Sequence, residues 1–233
     1  MISLALLLSY TLVMARLIAS PPFTVGETLR YDAKLGYFPV GTATVSVART
    51  APERGVDAYL FTMAGQGGPP GLRIRYDLKS WVDSRRFNSL RFHRRLVQAG
   101  KVDEHEYLIL PDSGRYREVG VSGDWVAPTE PLDELAFLYF LRTEPLKQGR
   151  SYSYSRYFKT GYNPVQVNVA EAREAVALPD GKTVPSIVVE VTSRGMTMKA
   201  WLTDDGRRLP VQLEVPLPFG VVSLHLAGMQ VGG

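Results

Sequence analysis

From Glu27 onwards, hydrophobic and polar residues alternate with a period of two rather than 3.6. In Glu27 to Leu35, Leu29, Tyr31, Ala33 and Leu35 share one face, and Arg30, Asp32 and Lys34 the other. Successive side chains of a strand point to opposite faces, so this pattern predicts a half-buried β-strand. Ala43, Val45 and Val47 line one face of Thr42 to Val47, after a turn through Gly36 to Gly41 that contains Pro39, which predicts a hairpin with a slightly long loop. Ala58 to Gln66 is a third strand, ended by Gly67-Gly68-Pro69-Pro70-Gly71, a segment that cannot join a ladder. The clearest alternation follows: Leu72, Ile74, Tyr76, Leu78 and Val82 face one way, and Arg73, Arg75, Asp77, Lys79, Trp81 and Asp83 the other. Leu90, Phe92 and Leu96 continue the buried face, with Arg91, His93 and Arg95 outside. Ala99-Gly100 turns the chain into Val102 to Leu110, and Pro111-Asp112-Ser113-Gly114 turns it again into Arg115 to Val121.

Pro131 to Arg142 breaks the pattern and predicts a helix. Thr129 is placed to cap it, Pro131 fits its first turn, Asp133 and Glu134 suit its positive end, and Arg142 its negative end. Leu135 to Leu141 is apolar around the whole circumference, so the helix is expected to be buried on most sides. Strands resume at Ser151 to Phe158 and at Val165 to Val169. Pro179-Asp180-Gly181-Lys182 joins a hairpin that returns through Val184 to Ser193. Met196 to Thr203 turns at Asp205-Gly206, a strong hairpin signal, into Leu209 to Val215, and Val221 to Ala227 ends the fold. The predicted class is all-β: a mostly antiparallel meander of about a dozen strands, forming a curved sheet or half-barrel with one internal helix.

Composition narrows the chemistry. The 233 residues, 45% hydrophobic and 21% charged, form a globular chain rather than a disordered one. Cysteine is absent, which removes thiolate metal sites, thiol nucleophiles, disulfides and lipid attachment of the bacterial lipoprotein type. A net charge of +4 is too sparse to track a nucleic-acid backbone, so no nucleic-acid partner is expected. Ile2 to Ala15 holds eleven apolar residues, three hydroxyl residues and no charge, in the manner of a secretory h-region. No positive n-region precedes it, so either the true start codon lies upstream, the favoured reading, or the signal is atypical. Fourteen helical residues span about 21 Å, short of the roughly 30 Å hydrocarbon core, so residues 1–20 are expected to be a cleaved signal peptide, with an uncleaved anchor or a buried helix as alternatives. The cut is expected after Ala15, Ala19 or Ser20, which leaves residues 21–233 as a single β-rich domain in the periplasm or envelope.

Val25-Gly26-Glu27-x-Leu29-x-Tyr31, Val40-Gly41-Thr42-Ala43, Trp81-Val82-Asp83, Asp133 to Arg142, and Trp201-Leu202-Thr203-Asp204-Asp205-Gly206-Arg207-Arg208-Leu209-Pro210-Val211 together resemble the bacterial family called domain of unknown function 3108, over roughly residues 23 to 228. The resemblance implies an exported envelope protein and brings no assigned activity. Ala136 departs from the small hydroxyl residue expected in the helix motif, which bears on packing rather than chemistry. A looser resemblance, in architecture only, is to the periplasmic lipoprotein carriers, whose half-barrel closes over a helical lid and whose late strand also reads Trp-x-x-Asp followed by Leu-Pro.

Candidate chemistry is sparse. Gly65 to Gly71 fits neither phosphate-binding pattern and no helix follows it, so it reads as a turn. In Asp103-Glu104-His105-Glu106, the strand period puts Asp103 and His105 on one face and both glutamates on the other, which favours pairing with Arg91, His93, Arg94 and Arg95 across the turn over a metal site. No nucleophile elbow is present; Gly120-Val121-Ser122-Gly123-Asp124 has the wrong last spacing. The expectation is therefore a non-enzyme without a cofactor. The leading reading is binding of an apolar ligand, a lipid or acyl chain, between sheet and helix by Tyr31, Tyr76, Phe92, Phe137, Phe140, Met196 and Met198. The alternative is an interaction module that engages another envelope component or a polysaccharide through an outer face bearing Arg73, Arg75, Trp81, Arg91 and Arg95.

Overall fold

In a computed structural model, residues 21–68, 71–217 and 220–232 are described. The expected signal segment, with its cleavage sites, lies outside them, as do Pro69 and Pro70. The strands are β1 (Thr28–Leu35), β2 (Phe38–Glu53), β3 (Val56–Gly67), β4 (Ile74–Asp83), β5 (Ser89–Gln98), β6 (Lys101–Leu110), β7 (Arg115–Glu118), β8 (Trp125–Val126), β9 (Ser151–Tyr154), β10 (Val165–Val169), β11 (Glu174–Ala177), β12 (Thr183–Ser193), β13 (Met196–Thr203), β14 (Pro210–Leu217) and β15 (Gly220–Gln230). The one α-helix among the described residues, α1 (Glu134–Thr143), comes between β8 and β9. All strand pairings are antiparallel, in the order β8-β7-β6-β5-β4-β3-β2-β1-β15-β14-β13-β12-β10-β9, with β11 beside β12. The sheet is an unclosed half-barrel: β1 and β15, near the two chain ends, pair at its centre, while β8 and β9 are its edges.

Turn chemistry fixes the meander. Arg54-Gly55, Ala99-Gly100 and Arg194-Gly195 all have positive φ at both residues, which is the two-residue turn whose twist matches paired strands. Only the middle one is expected from sequence. Asp205-Gly206 does not make such a turn; the chain reverses over Asp204 to Leu209, and the Asp205 carboxylate accepts from the backbone N–H groups of Arg207 and Arg208 and from the Thr203 hydroxyl. β2 also runs past the expected Val47 to Glu53, through a bulge between Val47 and Arg49.

The helix starts later than expected, and its cap is Asp133 rather than Thr129. One Asp133 carboxylate oxygen accepts from the N–H groups of Leu135 and Ala136, and the other from the hydroxyls of Ser80 and Ser89. At the other end, the buried Arg142 guanidinium donates to both Glu27 carboxylate oxygens (2.6 and 3.0 Å) and to the carbonyls of Pro22 and Arg207. One helix end is thus tied to the β4–β5 turn region, and the other to the start of β1 and the β13–β14 turn. All of these lie at one end of the half-barrel, so α1 lies across that end as a plug. Tyr139 of α1 packs on Phe23 and Phe61 beneath it, its ring stacked on Phe61 at 3.9 Å.

Candidate binding site

The turns β1–β2, β3–β4, β5–β6, β7–β8 and β12–β13 all fall at the end opposite α1. Eight of the thirteen large hydrophobic side chains exposed among the described residues lie there, the other five (Val25, Trp125, Val126, Met229 and Val231) lying towards the α1 end and the β8 edge. Tyr37 is 98% exposed in the β1–β2 turn and Phe38 75% at the start of β2, Met196 is 60% and Met198 41% exposed at the start of β13, and Val102, Val119, Val121 and Val221 are exposed nearby in sequence and register. Met198 lies opposite Val191 and shares its strand face with Ala200 and Leu202, which are buried. It therefore points to the concave side, beyond the height at which the core closes.

The seven residues expected to meet an apolar ligand sort by this height. Tyr31, Phe92, Phe137 and Phe140 are buried in the closed core, where Tyr31 donates its hydroxyl to the Pro210 carbonyl (2.7 Å) and Phe92 packs on Phe158. Tyr76 is half-buried. Met196 and Met198, expected inside, are exposed at the mouth because the sheet extends past the material that fills it.

The opposite wall of the concavity is polar, and sequence reading missed most of it. Arg94 occupies the apolar register between Phe92 and Leu96, facing Leu78 on one side and His105 on the other. Its Nη2 donates to Asp103 at 2.9 Å, while its buried Nε has no partner. His105 sits between two carboxylates, Nδ1 to Glu118 at 2.5 Å and Nε2 to Asp103 at 2.7 Å, and its ring stacks on Tyr107. The hydrogen bond to Glu118 is the main cause that raises its pKa above the ordinary histidine value, and Asp103 adds to it. With both nitrogens facing acceptors, the imidazolium is the form that satisfies the site. Lys159 donates to the Tyr107 hydroxyl at 2.8 Å, and burial lowers its pKa. Glu134, in the first turn of α1, accepts from Tyr157 at 2.5 Å. The available signal was an arginine in an apolar register. Among the described residues, no cluster of His, Asp and Glu is arranged to hold a metal ion.

On the convex face, Arg91 lies over the Trp81 ring at 4.8 Å, pairs with Glu106 and approaches Glu53 at 3.7 Å. Trp81 is consequently half-buried rather than open. His93 and Arg95 both reach Glu104, at 2.8 and 3.3 Å, the cross-strand pairing expected from sequence. Arg73 and Arg75 are exposed. Arg75 and Arg95, with Thr42, Thr44, Gln66 and Asp77, line a shallow hollow of about 320 Å³.

The sequence profile described as "Protein of unknown function (DUF3108)" matches residues 30–227, and the chain belongs to that family. No curated protein matches it. A crystal structure of a β-barrel-like protein of the domain of unknown function DUF1849 from Brucella abortus is similar in fold, with a TM-score of 0.62 at 10% identity, covering 89% of this chain and 98% of that one. The neighbour supports the unclosed barrel and, at that identity, nothing about activity. No helix among the described residues is long and apolar enough to cross a membrane.

Proposed function

We propose that this DUF3108 protein is an exported, non-catalytic binding protein of the cell envelope, and that its concave face receives a lipid or acyl chain through the end opposite α1. The observation that carries this reading is the gathering of exposed Tyr37, Phe38, Met196 and Met198 at that end, the methionines on the concave side. Apolar surface left in water is unfavourable by roughly 25 cal/mol per Å², and the large side chains Tyr37, Phe38, Met196 and Met198 at this mouth offer a place where something apolar docks. Methionine suits such a rim because its unbranched side chain adapts to varied shapes. The uncharged Ile2 to Ala15 stretch supports export.

Native mass spectrometry of protein purified from its own envelope without detergent tests the reading. A bound species of lipid mass is expected, and Met198→Trp, which narrows the mouth, should reduce its occupancy without lowering the melting temperature. A wild-type chain that carries no lipid and takes none from vesicles overturns it.

A second reading is favoured by the convex hollow at Arg75 and Arg95: docking of a polysaccharide or another envelope component there. Trp81 and Arg91 fit this less well, since each occupies the other. Loss of a co-purifying partner in Arg75→Ala with Arg95→Ala, at unchanged lipid occupancy, would favour it.

A further inference from the structure

The two walls of the concave face differ in kind at the end opposite α1. On the β12–β13 side, Val191 and Met198 offer only apolar surface. On the β5–β6 side, Arg94 and Lys159 offer donors. The carboxylates near these cations are already engaged: Asp103 by Arg94 and His105, Glu118 by His105, and Glu134 by the Tyr157 hydroxyl. The donors are not used up. Arg94 Nε is buried with no partner, and the only side-chain hydrogen bond of Lys159 among the described residues goes to the neutral Tyr107 hydroxyl, with no carboxylate within salt-bridge distance. Burial disfavours the Lys159 charge, and its neighbouring carboxylates act on it only from beyond contact distance, so an anion in direct contact would stabilise it further.

We infer that the ligand is an amphiphile with an anionic head, a carboxylate or a phosphate, held by Arg94 and Lys159 while its chain lies along the Met198 wall. The inference rests on the apolar-ligand reading of the concave face and adds the head group to it. Arginine offers a planar fork and lysine a point charge, and both form charge-assisted hydrogen bonds that are stronger than neutral ones. His105 supports the head indirectly: as an imidazolium between Asp103 and Glu118 it offsets one of their two negative charges and holds both carboxylates away from the free donors.

A fluorescent fatty acid, 11-(dansylamino)undecanoic acid, and its methyl ester share a chain and differ in the charge of the head. At pH 7 the acid is expected to bind at least about tenfold more tightly than the ester, the size of one charge-assisted hydrogen bond. Lys159→Gln and Arg94→Gln should each reduce acid binding by about three- to tenfold on the same scale and reduce ester binding by less, so that the acid–ester difference shrinks. Inorganic phosphate and acetate in excess should not displace the acid, because they lack the chain. Equal affinity for acid and ester overturns the head-group inference and leaves the apolar site standing. Displacement by phosphate alone overturns it in favour of a simple anion site. Binding of neither probe overturns the apolar-ligand reading itself. The acid–ester comparison uses the wild-type chain, so it stands even if a variant fails to fold.

Discussion

Arg142 and Arg94 face the same interior at opposite ends. Arg142 is buried against both Glu27 oxygens and two backbone carbonyls, with the Tyr139 ring 5.4 Å from its guanidinium. Arg94 has one link to Asp103 and an unpartnered Nε. Satisfying a buried guanidinium needs carbonyls and a carboxylate brought in from distant segments, here Pro22, Glu27 and Arg207, and that convergence is what closes the α1 end. No such convergence is made at Arg94. The end that keeps spare donors beside exposed Met196 and Met198 is therefore the one where a ligand can add contacts the fold has left unmade.

The largest test of this contrast is Arg142→Met. It strands the buried Glu27 carboxylate, a situation that destabilises by roughly 3–5 kcal/mol. Urea unfolding at pH 7 should read that loss, and Arg142→Met combined with Glu27→Leu should recover much of it because no buried charge remains. A single variant as stable as wild type would mean that the α1 end is not the anchored one.

Asp133 gives the next effect. Asp133→Ala removes the cap and leaves the Ser80 and Ser89 hydroxyls without their acceptor, at about 2–4 kcal/mol. The same residue carries a pH signature. Burial raises its pKa to about 7, against roughly 3.9 for an unfolded aspartate. The folded state therefore favours the protonated form: its contribution is fully present below about pH 4 and is lost as pH rises through about 7. Asp133→Asn keeps an acceptor for Leu135 and Ala136 and cannot ionise, so unfolding free energies measured from pH 4 to 8 should lose this part of their downward slope. An unchanged slope would show that the four donors hold Asp133 ionised throughout.

Much of this architecture was legible in the chain. Alternation places Leu29, Tyr31 and Ala33 on the buried face, and an apolar circumference marks α1 as buried. The misses have physical causes. Thr129 and Asp133 are both capping residues flanking Pro131, and only the positions of Ser80 and Ser89, far away in sequence, decide between them. Period-two reading assigns a side chain to a face and not to a height along the barrel. Met198 was therefore placed on the correct side but at the wrong depth, alongside Phe92, which the core does enclose. Trp81 was assigned correctly to the convex face, but its cover by Arg91 depends on strand register. Arg94, His105 and Glu118 meet through the register of β5, β6 and β7, whereas bringing Lys159 to them requires the Tyr157 to Tyr162 segment to cross the concave face, and no local pattern encodes that crossing.

The smallest expected change in stability comes from the end opposite α1, and its smallness is the point. Phe38→Ser with Met196→Ser removes two side chains that are mostly in water, so folding loses little apolar burial and the unfolding free energy should move by no more than about 0.5 kcal/mol. The substituted serines also meet no unsatisfied buried partner, since both positions open to solvent. If these residues form the threshold of a ligand site, the same pair should slow uptake of an acyl chain from vesicles while the urea midpoint stays fixed. A fall in stability comparable to that of Asp133→Ala would instead mean that the exposed rim is part of the folding core, and the contrast between the two ends would fail.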